Sequence, residues 1–249
     1  MDFQLGQPEP QQWQQQQQQQ GCHTKLADVD WSRYHLQVLF IDRHDQLRAR
    51  LAAGLFEKVA EWNGYGRALY PWTCGTHVDD SAAGRTAHMW LSTSLVSQAA
   101  VLGIEPKVFT RRPESFELRD LDCYDVIVAV DSATREAVLE QVESQGQQYY
   151  RERVNLLSDY AQQQPLTDAE VQRTGGLALL PRRMSQQLQQ DLPQLRRVVD
   201  VCRPSLTDGS PRGVAAWNQT VLAVMLGCAG LVRYLIDAYP PDLPEYDPL

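Results

Sequence analysis

Two charged residues, Asp42 and Arg48, stand six positions apart and offer the clearest chemistry in this sequence. An arginine guanidinium can bind a phosphate through two parallel hydrogen bonds. A carboxylate can accept hydrogen bonds from backbone amides, and in some enzymes it acts as a nucleophile. We therefore expect an anion site, or the remnant of one, between these two residues.

A strand and a helix flank this pair. The apolar run Gln37–Ile41 is typical of a strand buried on both faces of a parallel sheet. Leu47, Leu51, Leu55 and Val59 lie at helical spacing, with Arg48, Arg50, Glu57 and Lys58 between them. A strand, a short turn and a helix bring backbone N–H groups and a helix dipole to one point, which favours an anion. The predicted anion loop consists of Asp42, Arg43, His44, Asp45, Gln46, Leu47, Arg48 and Ala49.

This stretch resembles the phosphate loop of the low-molecular-weight protein tyrosine phosphatases, in which a strand leads into Cys-x5-Arg-Ser-Pro and a helix. On that pattern Val38–Ile41 match the strand and Arg48 matches the arginine, whereas Asp42 falls at the position of the nucleophilic cysteine. His44-Asp45 stands in place of Gly-Asn, and Ala49-Arg50 in place of Ser-Pro. The resemblance therefore implies the scaffold without its nucleophile.

Shorter sequence segments extend the resemblance along the chain. Thr73–Thr76, Gly103-Ile104 and Tyr124–Asp131 are similar to family segments at the same points. In the family a loop with a general-acid aspartate precedes a Phe by nine residues. Asp208 stands nine residues before Trp217 and is the candidate for that position, without the family's proline and tyrosines. Asp42, Arg48 and Asp208 are thus read as vestigial catalytic positions.

The predicted fold is α/β, a three-layer domain with a four-stranded parallel sheet in the order 2-1-3-4 and helices on both faces. Strands are expected near 37–41, 67–73, 124–131 and 153–157. Further helices are expected at 87–102, ending at Gly103, and from a capping Ser132 to about Ser144. This domain occupies residues 30–249, after a disordered Gln-rich tail at 1–29.

An insertion at about 158–205 has no counterpart in the family. We expect it to be helical, with Pro193 dividing it into two short helices. A protein partner is expected to bind either this insertion or the apolar last helix. The last helix, from Ala215 to about Tyr239, contains the uncharged run Val221–Val232, which is too short to span a membrane. We expect the sheet to cover one face of this helix, and the insertion or a protein partner to cover the other.

Composition limits the remaining possibilities. The net charge of −8 and a pI near 5.1 argue against nucleic-acid binding. Five scattered cysteines indicate a reducing intracellular compartment, the cytoplasm first, with a plastid or another organelle open if the N-terminus is processed. No cofactor and no metal are predicted, because Cys22-His23 in the tail is the nearest approach to a zinc pattern.

Three functions are weighed on these residues. The first is an inactive phosphatase-like protein that binds a partner, serves as a scaffold or has a structural role. The second is a weakly active protein tyrosine phosphatase-like hydrolase. The third is phosphorylation of Asp42 as in haloacid-dehalogenase phosphatases, which the position of Asp45 three residues later argues against. We favour the first and expect the Asp42 carboxylate to lie inside the loop as a built-in anion.

Overall fold

The computed structural model describes residues 35–78, 99–162, 176–195 and 211–237, and the predicted strands form one parallel sheet within them. The strands are β1 (Leu36–Asp42), β2 (Leu69–Gly75), β3 (Val126–Ala129) and β4 (Val154–Leu156). Their order is β2-β1-β3-β4 and every pairing is parallel, so the predicted 2-1-3-4 order is confirmed. The predicted tail and Asp208 lie outside the described residues.

The central strand β1 is buried on both faces of the sheet. Leu36, Val38 and Phe40 belong to the larger of two apolar clusters, and Leu39 and Ile41 belong to the smaller one on the opposite face. Successive side chains of a strand point to opposite faces, so an unbroken apolar run requires cover on both. Helices supply that cover.

The helices described are α1 (Arg48–Trp62), α2 (Lys107–Thr110), α3 (Asp120–Cys123), α4 (Ser132–Ser144), α5 (Leu157–Gln162), α6 (Arg182–Leu195) and α7 (Pro211–Asp237), with 3-10 turns at Gln148–Arg153 and Gly176–Leu179. Helices α1, α5, α6 and α7 contribute to the larger cluster, whereas α3 and α4 contribute to the smaller one. The domain therefore has the predicted three layers.

The end of the helix expected at 87–102 is confirmed at Gly103. Gly103 has a φ of +79°, and the N–H groups of Ile104 and Gly103 donate back to the carbonyls of Ala99 and Ala100. These two bonds form a Schellman motif, which favours glycine because of the positive φ. The predicted start of this helix lies outside the described residues.

Two local predictions are wrong. The cap of α4 is Asp131 rather than Ser132, because the Asp131 side chain accepts the N–H of Thr134. Helix α6 is not divided at Pro193 and continues to Leu195. Leu188 and Leu195 are both buried in the larger cluster, so apolar packing on either side of the proline holds the last turn in place.

Helix α7 packs on helices of its own chain. Its closest helical contacts are with α1, α5, α6 and the Gly176–Leu179 turn, and it shares the larger apolar cluster with Val38, Phe40 and Val128 of the sheet. A Cβ atom placed on Gly230 would lie 2.2 Å from the carbonyl oxygen of Tyr160, and one on Gly176 would lie 2.7 Å from the backbone of Gly230. Glycine at these points therefore permits close contact between backbones.

Part of α7 has the composition of a membrane span. The 21 residues Trp217–Asp237 are long and apolar enough to cross a bilayer, yet 67% of the most apolar window is buried inside the fold. A core helix of a globular domain shows the same combination. The absence of a membrane span stays a prediction.

Candidate anion loop and cleft

The loop between β1 and α1 closes around the carboxylate of Asp42. Its Oδ1 atom accepts the N–H groups of His44 at 2.8 Å and Asp45 at 2.5 Å. Its Oδ2 atom accepts the N–H groups of Arg48 at 3.1 Å and Ala49 at 3.2 Å. Four inward-facing amides at the start of a helix form an anion seat. The carboxylate occupies this seat, as the built-in-anion hypothesis requires.

A second carboxylate, that of Asp45, fixes the shape of the loop from the buried side. Asp45 has a φ of +48°, which aspartate tolerates better than most residues, and its side chain has no exposed surface. It pairs with the fully buried Arg50, whose Nη2 atom lies 3.2 Å from Asp45 Oδ2 and whose Nη1 atom donates to the carbonyl of Phe109 at 2.9 Å. The pair connects the loop to the first turn of α1.

Further polar groups complete this buried network. Asp45 accepts hydrogen bonds from the hydroxyl of Thr73 and, at 2.9 Å, from the N–H of Glu114. Arg111 lies 3.9 Å from Asp45 Oδ1 and donates to the carbonyl of Thr73 at 3.0 Å. A buried charge is tolerated when it is paired and its lone pairs are satisfied. Both conditions are met by Asp45.

The guanidinium of Arg48 reaches beyond the loop to the next helix. Its Nη1 atom forms a salt bridge with Oδ2 of Asp131, the residue that caps α4 through its other carboxylate oxygen. Asp42 and Asp131 end or directly follow neighbouring strands, and the carboxyl ends of parallel strands meet at one edge of a sheet. The arginine matched to the phosphate-binding arginine of the family therefore has a carboxylate of its own chain as a partner.

A surface cleft of about 360 Å³ lies over the loop. It is lined by Arg43, His44, Arg48, Thr76, His77, Asp131, Ala133, Thr134 and Ala137. The loop residues on its two sides are joined, since the N–H of His77 donates to the carbonyl of Arg43 at 2.7 Å and His44 Nδ1 lies 2.8 Å from the carbonyl of His77. The two loops at the mouth of the cleft are thus joined by hydrogen bonds.

None of the cysteines in the described part of the chain lies in the loop. Cys74, one residue before the end of β2, is buried, and burial raises the pKa of its thiol well above the ordinary value, with nearby carboxylates adding to the shift. Cys228 is buried in α7, where burial also raises the thiol pKa, and it donates to the carbonyl of Ala52. Cys123 is exposed at the end of α3. A nucleophilic cysteine requires a lowered pKa, which neither Cys74 nor Cys228 has.

Residues 42–49 form the turn from β1 into the start of α1, and Asp208 lies outside the described residues. Their role as an anion loop stays a prediction. Sequence reasoning did not place Arg50 or Asp131 in the site, and Arg50 is fully buried beneath the loop. For Asp131 a usable signal was its position two residues after β3, a parallel strand that neighbours β1.

No protein-family model and no curated protein sequence matches the chain. Among solved structures, the chain is similar to the low-molecular-weight phosphotyrosine phosphatase of Vibrio cholerae O395, with 13% identity over 82% of this chain and 99% of that one and a TM-score of 0.52. The chain is also similar to a product-state mimic of the protein tyrosine phosphatase of Entamoeba histolytica. The identity is 12% over 83% of this chain and 99% of that one, with a TM-score of 0.51.

A third similar structure is the YwlE arginine phosphatase with a phosphorylated active-site serine. It shares 15% identity over 80% of this chain and 95% of that one, with a TM-score of 0.50. Identities at this level establish architecture rather than activity. In all three comparisons nearly the whole of the smaller protein is matched, and the matched scaffold includes the parallel sheet with the order 2-1-3-4. The chain therefore has the fold of the low-molecular-weight protein tyrosine phosphatases.

Proposed function

We propose that this protein is a catalytically inactive phosphatase-like protein that acts by binding another protein. The observation that carries the proposal is the position of the Asp42 carboxylate, which accepts four loop amides where a bound anion would otherwise lie. The loop is then a structural element of the domain. Its amides are no longer available to bind and polarise a phosphoryl group.

Two physical effects oppose phosphate hydrolysis at this loop. First, phosphoryl transfer in such a scaffold needs a thiolate at the helix N-terminus, and residue 42 is a carboxylate. Second, a phosphate dianion about 4 Å from a carboxylate meets a repulsion of several kcal/mol, at an effective dielectric constant of about 20. Together they remove the nucleophile and weaken binding of the substrate.

Partner binding is the remaining part of the proposal. Of the two surfaces expected to contact a partner, the apolar faces of α7 are covered largely by α1, α5 and α6. The insertion remains, and its helix α6 buries Leu188 while exposing a polar outer side. The exposed members of that side are Arg182, Arg183, Gln186, Gln187 and Gln190. This side is proposed as a docking surface for a protein partner.

A turnover assay tests the absence of catalysis. The purified chain is incubated with an aryl phosphate beside an active low-molecular-weight phosphatase, and phenol release is followed. We expect no release above the uncatalysed rate. Asp42→Cys should restore little activity, because the family's Gly-Asn and Ser-Pro are replaced here by His44-Asp45 and Ala49-Arg50. Release above the uncatalysed rate by the unaltered chain would show that the proposal is wrong and would favour the hydrolase alternative.

A further inference from the structure

We propose that the cleft above the loop binds an anionic side chain of a protein partner, either phosphoryl or carboxylate, through Arg43 and His77. This inference rests on the proposed function, because it assumes that the loop itself is filled by Asp42. The anion would lie at the rim of the cleft, outside the seat made by the loop amides. The site therefore differs in position from a phosphate loop, although Arg43 belongs to the anion loop.

The negative groups of the cleft already have partners. The carboxylate of Asp42 is held by four amides, and that of Asp131 is held by Arg48 and by the N–H of Thr134. Each of these carboxylates is buried. Asp131, the acidic residue that lines the cleft, is thus paired with the Arg48 cation, which reduces its repulsion of an anion at the rim.

The groups that would donate to the anion lie on the outer side of the cleft. Both Arg43 and His77 are exposed. Among the described residues no ion pair involves the Arg43 side chain. A partner's anion placed between these two side chains would form charge-assisted hydrogen bonds with Arg43, which are roughly twice as strong as neutral ones, and would accept a further hydrogen bond from a ring N–H of His77.

Hydrogen bonds hold this rim in one geometry. The contact between His44 Nδ1 and the carbonyl of His77 requires the proton on Nδ1, since a carbonyl oxygen only accepts. In the neutral ring Nε2 of His44 is then an acceptor, so His44 holds the two loops together and does not bind the anion. The N–H of Thr76 donates to the carbonyl of Asp42 at 3.0 Å, and His77 donates to Arg43 in the same way, so the two loops act as one surface. Such a preformed site loses little entropy when an anion binds.

Three fluorescein-labelled peptides of one sequence test the inference, with a central phosphotyrosine, a Glu-Glu pair or an unmodified tyrosine. Binding to the full chain is followed by fluorescence anisotropy at low salt, and phosphate release is measured in the same samples. We expect the two anionic peptides to bind and the neutral one not to bind, with affinity falling as salt rises. Arg43→Ala combined with His77→Ala should weaken binding about tenfold or more, which corresponds to the loss of about 1.4 kcal/mol.

Arg119→Ala is the matched control, because Arg119 is exposed and pairs with Glu117 on another surface. It should leave peptide affinity unchanged. Equal affinity for the three peptides, or equal affinity in the Arg43→Ala/His77→Ala variant, would overturn the cleft inference and leave the proposed function standing. Release of phosphate from the phosphotyrosine peptide would instead overturn the proposed function. Binding of the phosphotyrosine peptide alone assigns a phosphoryl ligand, and binding of both anionic peptides includes carboxylates; either result supports the inference.

Discussion

Asp45 and Arg50 form an ion pair without exposed surface, with 3.2 Å between Oδ2 of the carboxylate and Nη2 of the guanidinium. Asp45 belongs to the anion loop, and Arg50 belongs to the first turn of α1. This buried pair therefore holds the loop against the first turn of α1. Its shape depends on this pair as well as on the Asp42 carboxylate within it.

Arg50→Met should destabilise the protein by about 3–5 kcal/mol, because it leaves the Asp45 carboxylate buried without its principal counter-charge. Urea unfolding followed by circular dichroism measures the change. Adding Asp45→Asn should recover more than half of the loss, since asparagine also tolerates a positive φ and carries no charge. Arg151→Met, which breaks an exposed pair with Glu143, should cost less than about 1 kcal/mol. A small effect of Arg50→Met would contradict the importance of the pair.

Much of the fold could be predicted because it depends on local patterns. The apolar run of β1, the helical spacing that follows Leu47 and the glycine at residue 103 each indicate an element by its own residues. Parallel strands alternating with helices then leave few topologies. Among these topologies the order 2-1-3-4 was the one implied by the resemblance to the phosphatase family.

The charged network beneath the loop could not be predicted in the same way. Arg50 lies between apolar positions of α1, and charged side chains are seldom fully buried unless they are paired. It is buried because Asp45, Phe109 and other residues distant in sequence meet it in the fold. Periodicity describes one helix and carries no information about such contacts.

Cys74 and Cys123 should differ sharply in reactivity towards iodoacetamide. Burial raises the pKa of the Cys74 thiol well above its ordinary value, so little thiolate is present at pH 8, whereas Cys123 is exposed. We expect Cys74 in the native protein to react at less than roughly a twentieth of the rate of Cys123, and both to react alike in denaturant. Mass spectrometry of the tryptic peptides measures both rates. Fast modification of native Cys74 would reveal a reactive thiol one residue from the end of β2 and strengthen the hydrolase alternative.

Gly230→Ala should destabilise the protein by about 1–3 kcal/mol, because the added methyl group would overlap the carbonyl oxygen of Tyr160. Helix propensity alone predicts the opposite sign, since alanine is favoured over glycine by about 1 kcal/mol within a helix. Asn218→Ala, at an exposed position of the same helix, is the matched control and should change stability by less than about 0.5 kcal/mol. Stabilisation by Gly230→Ala would show that α7 does not pack closely on α5, and would reopen the interpretation of α7 as a membrane span.

The decisive prediction concerns the anion that the protein carries within its own loop. Asp42→Ala removes the acceptor of four amides, and the free energy of unfolding should fall by about 2 kcal/mol or more. The same change empties an anion seat, so phosphate or sulfate should bind the variant and raise its melting temperature. At a concentration of 100 times the dissociation constant this stabilisation amounts to about 2.7 kcal/mol.

Asp42→Asn is the matched control for this experiment, because it keeps a side chain of the same size in the loop without the charge. It should be destabilised less than Asp42→Ala and should respond weakly to phosphate. Adding Arg48→Ala to Asp42→Ala should reduce the phosphate response, since the guanidinium would be a ligand of the bound anion. If phosphate raises the melting temperature of the unaltered protein as much as that of Asp42→Ala, the loop is still a phosphate receptor and Asp42 is not its built-in anion.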